Sequence, residues 1–161
     1  ASVATNTSIA ELCAPFDSVS ICFSKGLGAP VGSILVGSTS FIHRAHRWRK
    51  MLGGGMRQAG VIAAAMNYAL DHHIARLAED HANALQLAEG LSQIEGIYVE
   101  PAQTNMVYVN FASAEQAQHV SQQLAQQGIL TAKSQRMRLV THLDISSADV
   151  TRVVEAMARL F

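Results

Sequence analysis

Residues 18–37 read Ser-Val-Ser-Ile-Cys-Phe-Ser-Lys-Gly-Leu-Gly-Ala-Pro-Val-Gly-Ser-Ile-Leu-Val-Gly. Two short apolar runs, residues 19–23 and 34–36, carry β-branched side chains and are bounded by turn residues, the pattern of buried strands. The loop between them holds Ser, Lys, Gly and Pro, so Lys25 stands where the first strand ends. A lysine with apolar sequence on both sides either extends its ammonium to water or keeps it in a partly dry pocket. Desolvation favours a neutral amine, the form that attacks a carbonyl to give a Schiff base. Gly26, Gly28 and Gly32 permit a left-handed backbone and let a flat ligand approach closely. Spacing alone leaves two readings of Lys25: a surface lysine beside a hairpin turn, or a nucleophile.

Outward from that stretch, Ile9, Leu12 and Phe16 suggest a short helix leading into the turn Pro15-Phe16-Asp17. On the other side, Ser38-Thr39-Ser40 offers N-cap hydroxyls to an amphipathic helix marked by Phe41, Ile42, Ala45, Trp48 and Leu52, with His43, Arg44, Arg47, Arg49 and Lys50 on its opposite face. Gly53-Gly54-Gly55 ends it, because consecutive glycines are entropically costly inside a helix. Residues 60–70 form the most apolar helix, whose small side chains predict close packing on several sides, in a core or a subunit contact. A long helix over 74–91 then joins two compositionally different regions. Beyond it the pattern predicts strands over 104–111, 129–132 and 137–141, and helices over 114–127 and 146–160, the last capped by serine. Two strand-helix units with a hairpin between them make a small α/β sandwich with helices on one face. The expected division is residues 1–75 and 76–161.

The chain has 161 residues, 49% hydrophobic and 15% charged, which is the composition of a folded chain. Its 12 basic and 12 acidic residues cancel, so no global field draws it to nucleic acid or an anionic membrane. No stretch approaches the roughly 18 apolar residues of a membrane helix, and the first residues do not read as a signal peptide. Cys13 and Cys22 have no C-x-x-C spacing and no neighbouring histidine, which argues against a metal site or a disulfide framework. A reducing cytoplasm is the expected location. Cys22, alternating with Ile21 and Phe23, reads as a small buried hydrophobe. Sequence patterns for hydride transfer, zinc hydrolysis, a Walker loop or a serine triad are absent.

Arg138 interrupts the apolar run Met137-Arg138-Leu139-Val140. A guanidinium there must meet an anion, either a carboxylate such as Asp144 or a ligand. Lys50 and Arg57 flank the triple glycine. They form either a phosphate cradle with exposed backbone N–H groups or a solvated helix end. His142 and Asn105 lie near strand ends, where hydrogen bonding explains them as well as a role in a site does.

Several of these motifs occur together: Ser24-Lys25-Gly26-Leu27-Gly28-Ala29-Pro30-Val31-Gly32-Ser33, Arg47-Trp48-Arg49-Lys50, Gly53-Gly54-Gly55-Met56-Arg57-Gln58 and Arg138-Leu139-Val140-Thr141-His142-Leu143-Asp144. In this order, from about residue 10 to the end, the chain resembles the second half of the low-specificity L-threonine aldolases, pyridoxal-phosphate lyases of the aspartate-aminotransferase fold type (fold type I). The resemblance implies an α/β fold: the end of the large-domain sheet and its helices over 1–75, then a linking helix and a small C-terminal α/β domain over 76–161. It implies that Lys25 holds pyridoxal 5'-phosphate as an internal aldimine and that Arg138 grips the substrate α-carboxylate. Lys50 and Arg57 would lie near the cofactor phosphate, Arg57 reaching into a neighbouring subunit's site. The implied reaction is retro-aldol cleavage of a β-hydroxy amino acid, L-threonine or L-allo-threonine, to glycine and acetaldehyde by a homotetramer built as a dimer of dimers. The family's phosphate-binding loop, ring-stacking histidine, pyridinium-pairing aspartate and second carboxylate-binding arginine have no counterpart here. The expectation is therefore a chain that starts about halfway along and is weakly active or inactive alone. The rival expectations are a non-enzymatic α/β interaction module using helix 60–70, or another lyase or transaminase of the same fold.

Overall fold

Strand β1 (Ser18–Cys22) turns back through the lysine loop into β2 (Ser33–Gly37), and the two pair antiparallel with Ser18 opposite Gly37 and Cys22 opposite Ser33. A computed structural model describes all residues 1–161, which divide into two compact units, Ala1–Leu77 and Ala78–Phe161. Unit 1 begins with α1 (Ser2–Thr5) and α2 (Ile9–Cys13), the latter started by a reciprocal Ser8/Glu11 capping box. After β2, α3 (Thr39–Met51) is capped by Ser38, whose Oγ accepts from the Phe41 N–H at 3.3 Å. Gly53, at φ 84°, takes the chain out of that helix, and α4 (Gly60–His72) follows. The buried centre of this unit is Phe23, Ala29 and Ala69, with Ile21, Leu27 and Met66 packed around it.

All five residues of β2 are exposed, although the apolar run reads as a buried strand. Helix α4 buries only Ala69 while Val61 is 75% exposed, so of the two uses expected for its apolar surface the core of this unit takes little. A two-stranded ribbon has no interior strand: Ile21 of β1 packs on the unit's small core, while β2 stays exposed along its length.

Unit 2 is a three-stranded antiparallel sheet, β3 (Ile97–Val99), β4 (Met106–Phe111) and β5 (Arg136–Val140), in that spatial order. Its helices are α5 (Leu77–Ser92), α6 (Ala114–Gln126) and α7 (Ser147–Ala158). Period-two alternation turns Val107, Val109 and Phe111 of β4 and Met137 of β5 into one core. Leu87 and Leu91 of α5, Val120 and Leu124 of α6, and Val150 and Met157 of α7 close it. Gly90 lets α5 approach α7, since a Cβ there would come within 2.7 Å of Val154 Cγ2. The expected serine cap of α7 is Ser146, in a capping box with Asp149.

Residues 129–132 are not a strand and form no hairpin with β5. Gly128, at φ 76°, ends α6, and the Ile129 N–H donates back to the Leu124 carbonyl at 3.0 Å. Thr131 then bonds Ser121 of α6 through its hydroxyl at 3.1 Å. With these groups spent on the helix, β5 takes β4 as its partner, Met137 facing Val109. Strand β3 was not foreseen; three residues are too few to show a period. No helix is long and apolar enough to cross a membrane.

Candidate active site

The loop bearing Lys25 is closed by its own backbone. Phe23 N–H donates to the Gly32 carbonyl at 3.0 Å, Ala29 N–H to the Phe23 carbonyl at 3.0 Å and Gly28 N–H to the Lys25 carbonyl at 2.8 Å. Gly28 holds φ 70° and Gly32 φ 119°, and a Cβ at Gly32 would collide with Met66 of α4. Phe23 and Ala29, buried against Ala69, pin the loop's flanks, and the His73 imidazole at the end of α4 adds a bond from Nδ1 to the Leu27 carbonyl oxygen at 2.6 Å. Lys25 itself is exposed. The result is an accessible amine on a loop whose two sides are fixed by one helix.

Cys22 is half-buried rather than enclosed, because it ends the exposed ribbon; its Sγ lies 3.3 Å from Ser24 Oγ. Hydrogen bonding to Ser24 holds the thiol below its ordinary pKa, and the Lys25 charge adds a smaller effect in the same direction.

Lys50, in the last turn of α3, folds back over the glycine turn. A Cβ on Gly55 would stand 2.5 Å from its Cδ and 3.2 Å from its Nζ, so glycine there is what makes room for the ammonium. Arg57 is exposed in the turn that follows. A phosphorylated aldehyde needs an accessible amine, and cations beside free backbone N–H groups for its phosphate. Lys25 is such an amine, and Lys50 and Arg57 are such cations, but the glycine turn spends most of its donors on itself: the N–H groups of Gly53, Gly54 and Met56 donate to the carbonyls of Lys50, Arg49 and Gly54 at 3.2, 2.8 and 3.0 Å.

Arg138 projects from the sheet face opposite the core, with Tyr108 across from it on β4. Asp144 does not neutralise it, since that carboxylate lies 3.6 Å from His142 Nδ1 instead. Arg138 and His142 help line a groove of about 630 Å³ with Gly128, Thr131, Asp149 and Arg152. The strand carrying Arg138 is held firmly at its end. Asn105 Nδ2 donates to the Thr141 carbonyl at 3.0 Å, and the buried Thr141 hydroxyl donates to the Asp80 carbonyl at 2.6 Å. Lys25, Lys50 and Arg57 thus belong to unit 1 and Arg138 to unit 2.

Sequence reading missed the groups beside Arg138. Arg136 grips Glu100 with two bonds, Nε to Oε1 at 2.6 Å and Nη2 to Oε2 at 2.7 Å, and its guanidinium lies 3.8 Å over the Tyr108 ring. Asn110 Nδ2 donates to the same carboxylate at 3.0 Å. Those bonds, Arg136 first, lower the Glu100 carboxyl to about 2. The signal was two arginines at positions i and i+2 of a strand, which face the same side.

The sequence pattern of the beta-eliminating lyase family matches residues 1–114. The low specificity L-threonine aldolase of Escherichia coli O157:H7 is 47% identical over 151 residues, which cover 94% of this chain and 45% of that protein. Low-specificity L-threonine aldolase 1 of Arabidopsis thaliana is 45% identical over 156 residues, covering 93% and 44%. Among solved structures, a protein assigned as an L-allo-threonine aldolase from Listeria monocytogenes EGD-E superposes with a TM-score of 0.83 at 23% identity, over 99% of this chain and 49% of that one. Serine palmitoyltransferase of Sphingomonas wittichii gives 0.73 at 20% identity, over 94% and 41%. These superpositions establish the fold, the mixed α/β arrangement of fold type I. The chain spans about half the length of the curated relatives it matches.

Proposed function

Because this chain belongs to the beta-eliminating lyase family, we propose that it carries the cofactor lysine and the substrate-gripping arginine of a pyridoxal-phosphate aldolase that cleaves L-threonine and L-allo-threonine to glycine and acetaldehyde. The observation that carries the reading is the exposed Lys25 amine on a loop pinned at both flanks, in a chain nearly half identical to proteins named L-threonine aldolases. In this reading unit 1 is the last part of the large cofactor-binding domain and unit 2 is the small domain.

Lys25 would hold the cofactor through its aldehyde, and the charges of Lys50 and Arg57 would hold its phosphate. Arg138, free of any ion pair, selects α-amino acids by taking the carboxylate on two parallel N–H bonds, which also fixes the substrate's orientation. The bound cofactor supplies an electron sink for the pair released at Cα. Cα–Cβ cleavage turns the β-hydroxyl into the aldehyde carbonyl, and a proton returned to Cα gives glycine.

The exposed apolar side chains of β2 and α4 support assembly into a homotetramer, a dimer of dimers in which Arg57 serves a neighbouring site. Two free cysteines fit the cytoplasm. Since its relatives are about twice as long, this chain alone is expected to take up the cofactor covalently but to turn over L-threonine poorly.

The test is to mix the chain with pyridoxal phosphate, reduce with borohydride and locate the added mass. A single adduct on Lys25 and an absorbance band lost in Lys25→Ala are expected. An unmodified Lys25, with label spread over surface lysines, would reject the proposal in favour of an interaction module.

A further inference from the structure

The structure assigns Arg136 and Glu100 a role as a sequestering pair that keeps Arg138 the one open guanidinium on the free face of the unit 2 sheet, which makes Arg136 a positioning residue for carboxylate binding. This rests on the reading of Arg138 given above.

The argument comes from strand register. Pairing of β3 with β4 sets Tyr98 opposite Asn110, and the Glu100 N–H continues that ladder by donating to the Tyr108 carbonyl at 2.9 Å. Pairing of β4 with β5 sets Tyr108 opposite Arg138 and Asn110 opposite Arg136. One row across the open face is therefore Glu100, Tyr108, Arg138, and the next is Tyr98, Asn110, Arg136. By row, Glu100 belongs with Arg138. It binds instead, on the diagonal, to Arg136 of the next row.

Several features hold the diagonal. Arg136 meets the carboxylate with both donors of its fork, at 2.6 and 2.7 Å, the strongest geometry available to that pair. Its guanidinium is supported from below by the Tyr108 ring. Asn110, its neighbour in the row, supplies a further donor to Glu100 Oε1. Glu100 is the only carboxylate that the strands and their ladder put on this face. Once it is engaged by Arg136 and Asn110, nothing on the sheet competes with an incoming carboxylate for Arg138. Arginine is suited to each of the two positions for a different reason: Arg136 to neutralise, Arg138 to stay open.

The test follows the Glu100 carboxyl and the Arg138 Nε–H by NMR in the full chain, using acetate as the carboxylate probe. In Arg136→Gln, Glu100 is expected to pass to Arg138: its carboxyl keeps a depressed titration, and the Arg138 resonance loses its response to acetate. In Arg136→Gln/Arg138→Gln the Glu100 carboxyl returns to an ordinary value. In Arg136→Gln/Glu100→Gln the acetate response of Arg138 is restored, a rescue that a merely structural role for Arg136 would not produce. Return of Glu100 to an ordinary titration in Arg136→Gln alone would overturn the inference, because Arg138 would then be unable to reach it. Wild-type Arg138 that ignores acetate, in a chain where the hand-over still occurs, would instead count against the substrate-carboxylate reading of Arg138.

Discussion

Strands β2 and β4 are both short and apolar, yet they meet opposite fates. In β4 the outward residues Met106, Tyr108 and Asn110 alternate with Val107, Val109 and Phe111, each at most 4% exposed. In β2, Ser-Ile-Leu-Val-Gly, nothing alternates and nothing is buried. Alternation encodes a sheet covered on one face, and β4, an inner strand with helices across that face, is such a sheet's centre. An unbroken apolar run encodes cover on both faces, and β2 stays exposed along its whole length. The lesson is that unit 2 contains the partners its sequence calls for, whereas unit 1 carries apolar surface that it does not cover itself. The proposed site residues divide accordingly: Arg138 stands on a self-contained scaffold, and Lys25 on one whose firmness comes from a single helix and a three-residue core.

The most severe way to break this contrast is to separate the units. Residues 78–161 expressed alone are expected to give dispersed amide spectra and a cooperative urea transition, and residues 1–77 alone neither. A cooperative transition in unit 1 would show that its small core suffices.

Next in size is a matched pair of truncations. Leu124→Ala removes a fully buried side chain from unit 2 and should cost about 2–5 kcal/mol. Leu35→Ala removes the same atoms from β2, where the leucine is 43% exposed, and should stay within about 0.5 kcal/mol in the isolated chain. Urea denaturation of each variant in the full chain measures both.

A pair of glycines sharpens the contrast further. An added methyl at Gly90 of α5 would press into both Cγ atoms of Val154, a stiff β-branched side chain, so Gly90→Ala should destabilise by about 1–3 kcal/mol. At Gly60, the first residue of α4, nothing lies within 4 Å of the new Cβ. Gly60→Ala should therefore stabilise by about 0.4–1 kcal/mol through the unfolded chain's entropy. Equal effects at the two sites would mean that the helices of unit 2 pack no more closely than the surface of unit 1.

Much of this was legible beforehand, and the failures share a cause. Helices α3 and α7 were readable because each couples a serine cap to an apolar stripe, both local signals. The lysine loop was readable as a loop, from its glycines and proline. Burial of β2 was misread because apolar composition states what a segment requires, not what surrounds it. Residues 129–132 were misread because strand propensity in Ile-Leu-Thr was outweighed by Gly128 and by Thr131 returning to Ser121. In the candidate site, Lys25, Lys50, Arg57 and Arg138 were each visible as a charge in an unusual setting. Glu100 was not, because its importance lies in a register between three strands, and β3 is too short to announce itself.

The gentlest probe is acid. Glu100 in the folded chain titrates near 2 rather than at its ordinary 4.5, chiefly through its bonds to Arg136. A carboxyl depressed by folding stabilises the fold fully above its unfolded value and loses that contribution as pH falls through 4.5 toward about 2. Asp149 of unit 2 and Glu11 of unit 1 are shifted in the same direction by the serine hydroxyls Ser146 and Ser8 at helix starts, and Glu115 of unit 2 by its own backbone N–H and then by Ser113. Acid should therefore act on unit 2 through three such groups and on unit 1 through one. Urea midpoints of the full chain and of Glu100→Gln, followed by circular dichroism at pH 7 and pH 3, isolate the Glu100 share: the variant should be less stable than wild type at pH 7, and the gap should narrow at pH 3. Because the pair is solvent-exposed, the gap at pH 7 should also shrink as salt is added. A gap that stayed constant across pH would mean that Glu100 contributes through packing rather than through its charge, and would leave Arg136 without the partner that the diagonal bond requires.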